Sequence, residues 1–483
     1  MNQNAKKWLT FSVRWGVAVA GIAFVLYKTP FHDRILLVTD QKLVEVSVLN
    51  QPAENAEQFT ILDPTTHLEA TIPREQVWTQ PDVTTVRVKT ADGEAHKFKV
   101  LAIRPGGHDV GDSQPAELLV KYPKTGEVMR IPPSRVPGGY TVRVPYPLVD
   151  IGVDRLVRHA HIGYLLLALA VLPFSYWVTS RRWHMLLEAL DIRMSQFRSF
   201  VLNMVGAFYN SFMPGSTGGD LIKAYYASKH TTHKVRAILS VIVDRVVGLL
   251  ALIVFGGVMA ATQWQIPECR YVAMICLGLI AATVAGTVVF YHPAWRRATG
   301  LEWLLKKLPM QRQIHHAIEA MELYGKRPGA PIWGGIMTFP VHLTTIISAI
   351  FAGKAFGLTM SGIYYFTVVP VLVLVSAIPI SPQGAGVMEF FSIELTRTQG
   401  VTVSQAIALA MAVRLGQMFW NLVAGVFVLR GGYHAITEAE KETLETDEPD
   451  IAEGSSTNDS LKPDPTPGED IPPDAEAKAR FAV

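Results

Sequence analysis

The chain predicts an α-helical polytopic membrane bundle with two opposed re-entrant hairpins, joined to a small all-β extracytoplasmic domain. Three observations predict it. Apolar runs of spanning length recur, two apolar segments are broken by Pro and Gly in a matched way, and residues 31–150 switch to an alternating pattern. Mean hydropathy is +0.23, unusual for a soluble protein. The net charge of +3 hides a split: basic residues cluster between hydrophobic segments, and acidic residues dominate from about Glu438.

A hydrocarbon core about 30 Å thick takes about 20 apolar residues in a helix. Runs near that length fall at Leu9–Tyr27, Ile162–Val178, Ala237–Thr262, Val272–Tyr291, Trp333–Ala355 and Ser404–Leu429. Ala18-Val19-Ala20 resembles a signal-peptide cleavage site but lies inside the first run, so residues 1–30 read as an uncleaved anchor. Lys and Arg in short flanking loops set orientation. Arg181 and Arg182 follow the second run; Lys223, Lys229, Lys234 and Arg236 precede the third. Seven more, from Arg296 to Arg327, separate the fourth from the fifth, and Arg430 follows the last. All are cytoplasmic only if Ser199–Lys223 enters and leaves on one side and Ile363–Gly400 dips in from the other. The expectation is six spans in the cytoplasmic (plasma) membrane with both termini cytoplasmic.

The two broken segments are alike. One reads Phe208-Tyr209-Asn210-Ser211-Phe212-Met213-Pro214-Gly215-Ser216-Thr217-Gly218-Gly219-Asp220, the other Ala377-Ile378-Pro379-Ile380-Ser381-Pro382-Gln383-Gly384-Ala385-Gly386-Val387-Met388-Glu389. Each runs from an apolar stretch through Pro and closely spaced Gly into an acidic residue that opens a helical pattern. Irregular backbone at membrane depth survives only where protein or a wet cavity satisfies its polar groups. A matched pair in two halves of a membrane protein points to a transport-type binding site.

Residues 31–150 carry alternating stretches such as Val44–Val48, Thr85–Lys89 and Tyr140–Val144, with turn signals at Asp92-Gly93 and Thr125-Gly126. They read as a β-sandwich or barrel, a binding or assembly module outside the cytoplasm if Lys6 and Lys7 stay inside. The membrane region then covers 151–432. Residues 433–483 read as a disordered acidic cytoplasmic tail. Leu301–Tyr324 has apolar residues at helical spacing among Lys306, Lys307 and Arg312, and reads either as a helix on the cytoplasmic membrane surface or as a packed connector.

Ionisable residues inside spans are costly and are functional candidates by default. Here they are Asp244, Arg245 and Arg414, joined by Asp220 and Glu389 at the breaks. The structural reading pairs Arg414 with Glu389 and Arg245 with Asp220. The functional reading adds a ligand: a helix that starts deep in the membrane offers unpaired N–H groups and a positive dipole end to an anion such as a lipid phosphate. The candidate set is Asn210, Pro214, Gly218, Gly219, Asp220, Asp244, Arg245, Pro382, Gly384, Gly386, Glu389 and Arg414. No metal or other cofactor is expected. His315-His316 with Glu319 is a poor cluster because adjacent histidines point to different helix faces, and Cys269 with Cys276 makes neither a disulfide framework nor a metal site.

Asn210–Gly215 through Gly219–Ala224, Asp244-Arg245-Val246-Val247-Gly248, Pro379–Gly386 with Glu389, and Arg414 together resemble the signatures of the lysylphosphatidylglycerol synthase transmembrane-region family, also called flippase-like. The resemblance covers about Gly163–Leu429 and implies a polytopic bundle with re-entrant helices that binds or moves lipids across the bilayer. Two departures stand out. An acidic tail follows the last span in place of a soluble aminoacyl-transferase domain, so lipid aminoacylation is not expected, and the β-domain is outside the family pattern. The expected partners are membrane lipids bearing phosphate, with an envelope protein as candidate partner of the β-domain and no nucleic acid. The expected function is translocation of such a lipid. The alternatives are a membrane enzyme or accessory subunit acting on a lipid-linked substrate, and an envelope scaffold.

Overall fold

A computed structural model describes residues 29–39, 42–49, 56–63, 66, 68–79, 85–89, 95–104, 117–123, 125–137, 148–212, 218–231, 233–265, 267–300, 311–377 and 384–434, with isolated positions 16, 20, 23 and 27. The anchor expected at Leu9–Tyr27, the strand at Tyr140–Val144 and the tail beyond His434 therefore lie outside the described residues, apart from those four positions of the anchor.

Alternating burial builds three small antiparallel sheets. In the first, β1 (Arg34–Thr39) lies between β2 (Lys42–Ser47) and β9 (Val149–Asp150), with Ile35 opposite Val46 on one side and Val149 on the other. A hairpin pairs β3 (Gln58–Leu62) with β4 (Glu69–Pro73). A four-stranded meander runs β5 (Thr85–Lys89), β6 (Ala95–Arg104), β7 (Glu117–Lys121) and β8 (Val128–Ile131). The expected Thr125-Gly126 turn joins β7 to β8, with Gly126 at φ +78°. Phe59, Ile61 and Val77 fill one core, and Phe98, Leu118 and Val120 another. Single bridges, Leu36 to Trp78 and Thr79 to Ile103, tie the sheets together, so the described strands form linked open sheets rather than one barrel.

The β-domain is fastened to the helices by charge and close backbone approach. The buried Asp33 accepts from Gly152 N–H at 2.8 Å and pairs with Arg155 Nη1 at 2.9 Å. A Cβ on Gly152 would collide with the His32 backbone, which is why the chain enters α1 (Val153–Arg158) on a glycine.

Among the described residues, five stretches are long and apolar enough to cross a membrane: Ile162–Ala189, Lys234–Thr262, Cys269–Tyr291, Gly329–Ala355 and Val403–Gly431. They coincide with five of the six expected spans. The first is longer than its expectation, Ile162–Val178. After α2 (Ile162–Val171), Pro173 at the first helical position restarts the chain as α3 (Pro173–Ala189), which carries Arg181 and Arg182 within the helix rather than in a loop. The remaining spans are α6 (Lys234–Thr262), α7 (Pro267–Tyr291), α10 (Gly329–Ala355) and α13 (Val403–Val423) with α14 (Gly425–Gly431). Tyr271, Ile275, Leu277 and Val284 of α7 are exposed, a surface at ease in hydrocarbon and not in water.

Between the spans lie two pairs of shorter helices, α4 (Gln196–Phe212) with α5 (Gly218–Ser228), and α11 (Tyr365–Ala377) with α12 (Val387–Thr396). Tyr364, just before α11, donates to Leu395 O near the end of α12 at 2.8 Å, so this pair starts and finishes together. That end also holds the beginning of α13, where Thr402 caps the helix and Gln405 donates to Phe356 O and Gly357 O beyond α10. At the opposite end, α8 (Pro293–Ala298) precedes α9 (Gln311–Lys326), whose buried Tyr324 donates to Leu186 O at 3.0 Å. Met321, Leu323 and Tyr324 at the end of this segment pack on the bundle; residues 301–310 lie outside the described set. Cys269 and Cys276 are buried and are not bridged by a disulfide.

Candidate functional site

In the first broken segment, α4 and α5 touch through glycine. A Cβ on Gly219 would run into the Gly206 carbonyl, so only Gly permits this approach. Asn210 Oδ1 accepts from Gly219 N–H at 2.8 Å and so caps one of the free donors that open α5. Gly218 begins the helix, Asp220 lies in its first turn, and Arg245 Nε meets Asp220 Oδ2 at 2.5 Å. Pro214 lies outside the described residues.

One turn beyond Asp220, Lys223 points into the bundle and is 3% exposed. Its Nζ donates to Asn203 Oδ1 at 3.1 Å, meets Asp244 Oδ2 at 3.4 Å, and sits 4.0 Å over the Trp183 ring. Arg182 reaches the other oxygen of Asp244 at 2.7 Å through Nε and donates to Thr338 Oγ1 at 2.8 Å through Nη1. Gly248 and Gly334 flank the guanidinium and its stem; a Cβ at Gly248 would lie 3.0 Å from Nη1. Two cations thus share one carboxylate, each with a neutral partner besides. Such burial is tolerated only when geometry and hydrogen bonds are good on every side.

The second broken segment is built differently. Gly384 and Gly386 take φ of +69° and +82°, a region that L side chains avoid, and a Cβ on Gly384 would strike Ser376. Gly386 N–H donates to Glu389 Oε2 at 2.8 Å, closing the first turn of α12. Glu389, 1% exposed, forms an ion pair with Arg414 of α13. Arg414 Nη1 is buried without a hydrogen-bond partner. Pro382 lies outside the described residues.

Asp220 with Arg245 and Glu389 with Arg414 are the pairs that the structural reading of the sequence joins. For Asp244 the sequence names no partner, and the structure gives it Arg182 and Lys223. Sequence reasoning placed both in flanking loops and missed them, along with Asn203, Trp183 and Thr338. A signal was there for Lys223. It follows Asp220 by three residues, so a helix starting deep at Gly218 carries it inward as well. Among the described residues no three His, Cys, Asp or Glu side chains gather as a metal site.

One titratable group outside the spans stands apart. Asp150, on β9, lines one cavity with Thr402 and Val403 at the start of α13, and its Oδ1 is buried without a partner. Burial, with Glu45 adding repulsion, pushes its pKa up to about 7. That cavity, of about 80 Å³, is lined by Arg34, Trp78, Arg397 and Thr402 among others.

Several spanning helices, an apolar outer surface and charges gathered inside define a polytopic α-helical membrane protein. The model of the lysylphosphatidylglycerol synthase TM region matches residues 152–425, more than half of the chain, and the chain belongs to that family. It is similar to a UPF0104 membrane protein of Methanothermobacter thermautotrophicus, 23% identical over 295 residues (56% of this chain, 86% of the relative). It is also similar to UPF0104 membrane protein PH1989 of Pyrococcus horikoshii, 23% identical over 308 residues (58% of this chain, 91% of the relative). No solved structure matches the chain significantly.

Proposed function

We propose that this protein binds a phosphate-bearing lipid and moves it between the leaflets of the cytoplasmic membrane. The observation that carries the reading is the unmet guanidinium at the second broken helix: Arg414 pairs with the buried Glu389, and its Nη1 is left without a hydrogen bond. An anionic headgroup accepts from that guanidinium by a charge-assisted bond. In this reading α4–α5 and α11–α12 are opposed re-entrant hairpins, both termini are cytoplasmic, and the β-domain faces the outside, where it is free to hold an envelope protein. The headgroup sits near Arg414 and Glu389 while its tails stay in lipid. Asp220, Asp244 and Arg245 hold the first hairpin in place.

Leaflet exchange of labelled phosphatidylglycerol in proteoliposomes tests this, wild type beside Arg414→Ala and Arg414→Gln. Fast exchange in the wild type that falls to the protein-free rate in both variants, each still monodisperse, is the expected result. Equal exchange in well-folded variants overturns the site, and no exchange of any anionic lipid by the wild type overturns the function.

A further inference from the structure

A groove runs along the outside of the bundle between α2 and α13, with α1 and the end of α10 closing its β-domain end. It encloses about 470 Å³. On α13 its floor is made by Ser404, Ala408, Ala412 and Gly416, four small residues at four-residue spacing, which open a trough along one helix face. From Ser404 to Phe419 the trough is about 22 Å long, at 1.5 Å per helical residue. Leu165 and Leu169 form the opposite wall, and Val157, Leu415 and Phe419 on the rim are exposed. Three stretches of membrane-spanning length line it, so the medium beside it is lipid hydrocarbon.

A stripe of small residues by itself says only that something slender fits. The second observation is chemical. Ser404 is 1% exposed and its Oγ has no hydrogen-bond partner. A serine further along a helix ordinarily returns its hydroxyl to the carbonyl four residues back. Ser404 is the second residue of α13, where no preceding turn offers that carbonyl. The other hydroxyl in the groove, Ser348, is satisfied by Ala168 O at 2.7 Å. One buried O–H donor is therefore left at the headgroup end of an otherwise apolar trough, where an unmade hydrogen bond is costly.

We infer that this groove binds an ester-linked lipid from the leaflet on the β-domain side, one acyl chain lying along α13 and an ester carbonyl accepting from Ser404 Oγ. A hydrocarbon chain matches the width and polarity of the trough, and an ester carbonyl is the acceptor that such a lipid carries at the end of its chain. The site is separate from the Arg414–Glu389 pair and does not depend on translocation.

Native mass spectrometry of the full-length protein in mild detergent, offered dioleoyl phosphatidylglycerol or its dialkyl ether analogue, tests the inference. The wild type is expected to retain one ester lipid per chain and to hold the ether analogue about five-fold more weakly, equivalent to about 1 kcal/mol for the lost carbonyl acceptor. Ser404→Ala removes that preference, and Ala412→Phe fills the trough and removes binding of both. A photoreactive residue at position 411 is expected to label lipid. Equal retention of both lipids by the wild type, unchanged ester preference in Ser404→Ala, or label found on residues 9–27 or on a second copy overturns the proposal. If Ala412→Phe does not fold, the ester–ether comparison in the wild type and in Ser404→Ala decides alone. A retained lipid with no leaflet exchange leaves this site standing and removes the translocation reading; exchange without a retained lipid does the reverse.

Discussion

The two broken segments look alike as sequence and differ as chemistry. Around the first, Asp244 is held by Arg182 and Lys223, and Thr338, Asn203 and Trp183 take up what remains of the two cations. Around the second, Glu389 has one cationic partner, and Arg414 keeps a guanidinium nitrogen without a hydrogen bond. A fully satisfied buried network rigidifies its surroundings, whereas a partly satisfied one retains capacity for a further partner. In the proposed reading the first segment is therefore the anchor, and the second contacts the ligand.

Breaking the anchor should have the largest effect. Asp244→Ala leaves two buried cations without their carboxylate, and a loss of about 3–5 kcal/mol is expected, read as a lowered unfolding temperature in detergent. Next comes the glycine contact. Gly219→Ala forces a methyl into the Gly206 carbonyl, with an expected cost of about 1–3 kcal/mol. Arg414→Gln should cost less stability than Asp244→Ala, because Glu389 keeps the Gly386 N–H, yet it should reduce leaflet exchange to the protein-free rate. Comparable destabilisation by Arg414→Gln and Asp244→Ala would erase the distinction between anchor and ligand site. At the small end, Asp220→Asn touches a pair whose Arg245 side chain is 48% exposed, so the unfolding midpoint should move by less than about 1 kcal/mol.

A pH titration sharpens the contrast between the helices and their junction with the β-domain. Asp150 has a folded pKa raised to about 7 from an ordinary value of 3.8. Between those values the folded chain binds more protons than the unfolded one, so stability falls as pH rises from 4 to 7 and levels off above. Asp150→Asn should flatten that slope and leave the protein more stable than wild type at pH 8. Parallel pH–stability curves for the two proteins would show that Asp150 titrates normally. Because Asp150 lines one cavity with Val403 at the start of α13, this variant also reports how far the β-domain steadies the helix that carries Arg414.

Legible in the sequence were the class of protein, five of the spans, the β character of the described strands within 31–150, and two pairs of shorter helices on either side of the Pro–Gly segments. Each of these is local. A run of apolar residues, an alternation with period two, or a Pro–Gly cluster constrains its own few residues whatever surrounds them. It also joined Asp220 to Arg245 and Glu389 to Arg414, because each acid opens a helix at a break and each Arg lies within a span. What it could not supply was the environment of side chains whose type is ambiguous. Arg182 and Lys223 read as loop cations because flanking Lys and Arg commonly are; their burial follows from α3 continuing to Ala189 and from α5 packing on α4 at Gly206. The partner of Asp244 was decided in the same way, by which helices the glycines at 219, 248 and 334 allow to come close. Ser404 is an ordinary helix serine in sequence. Its place on the floor of an apolar groove, with its hydroxyl unmet, comes from the packing around it, because a hydrogen bond that is missing is a property of all its neighbours at once.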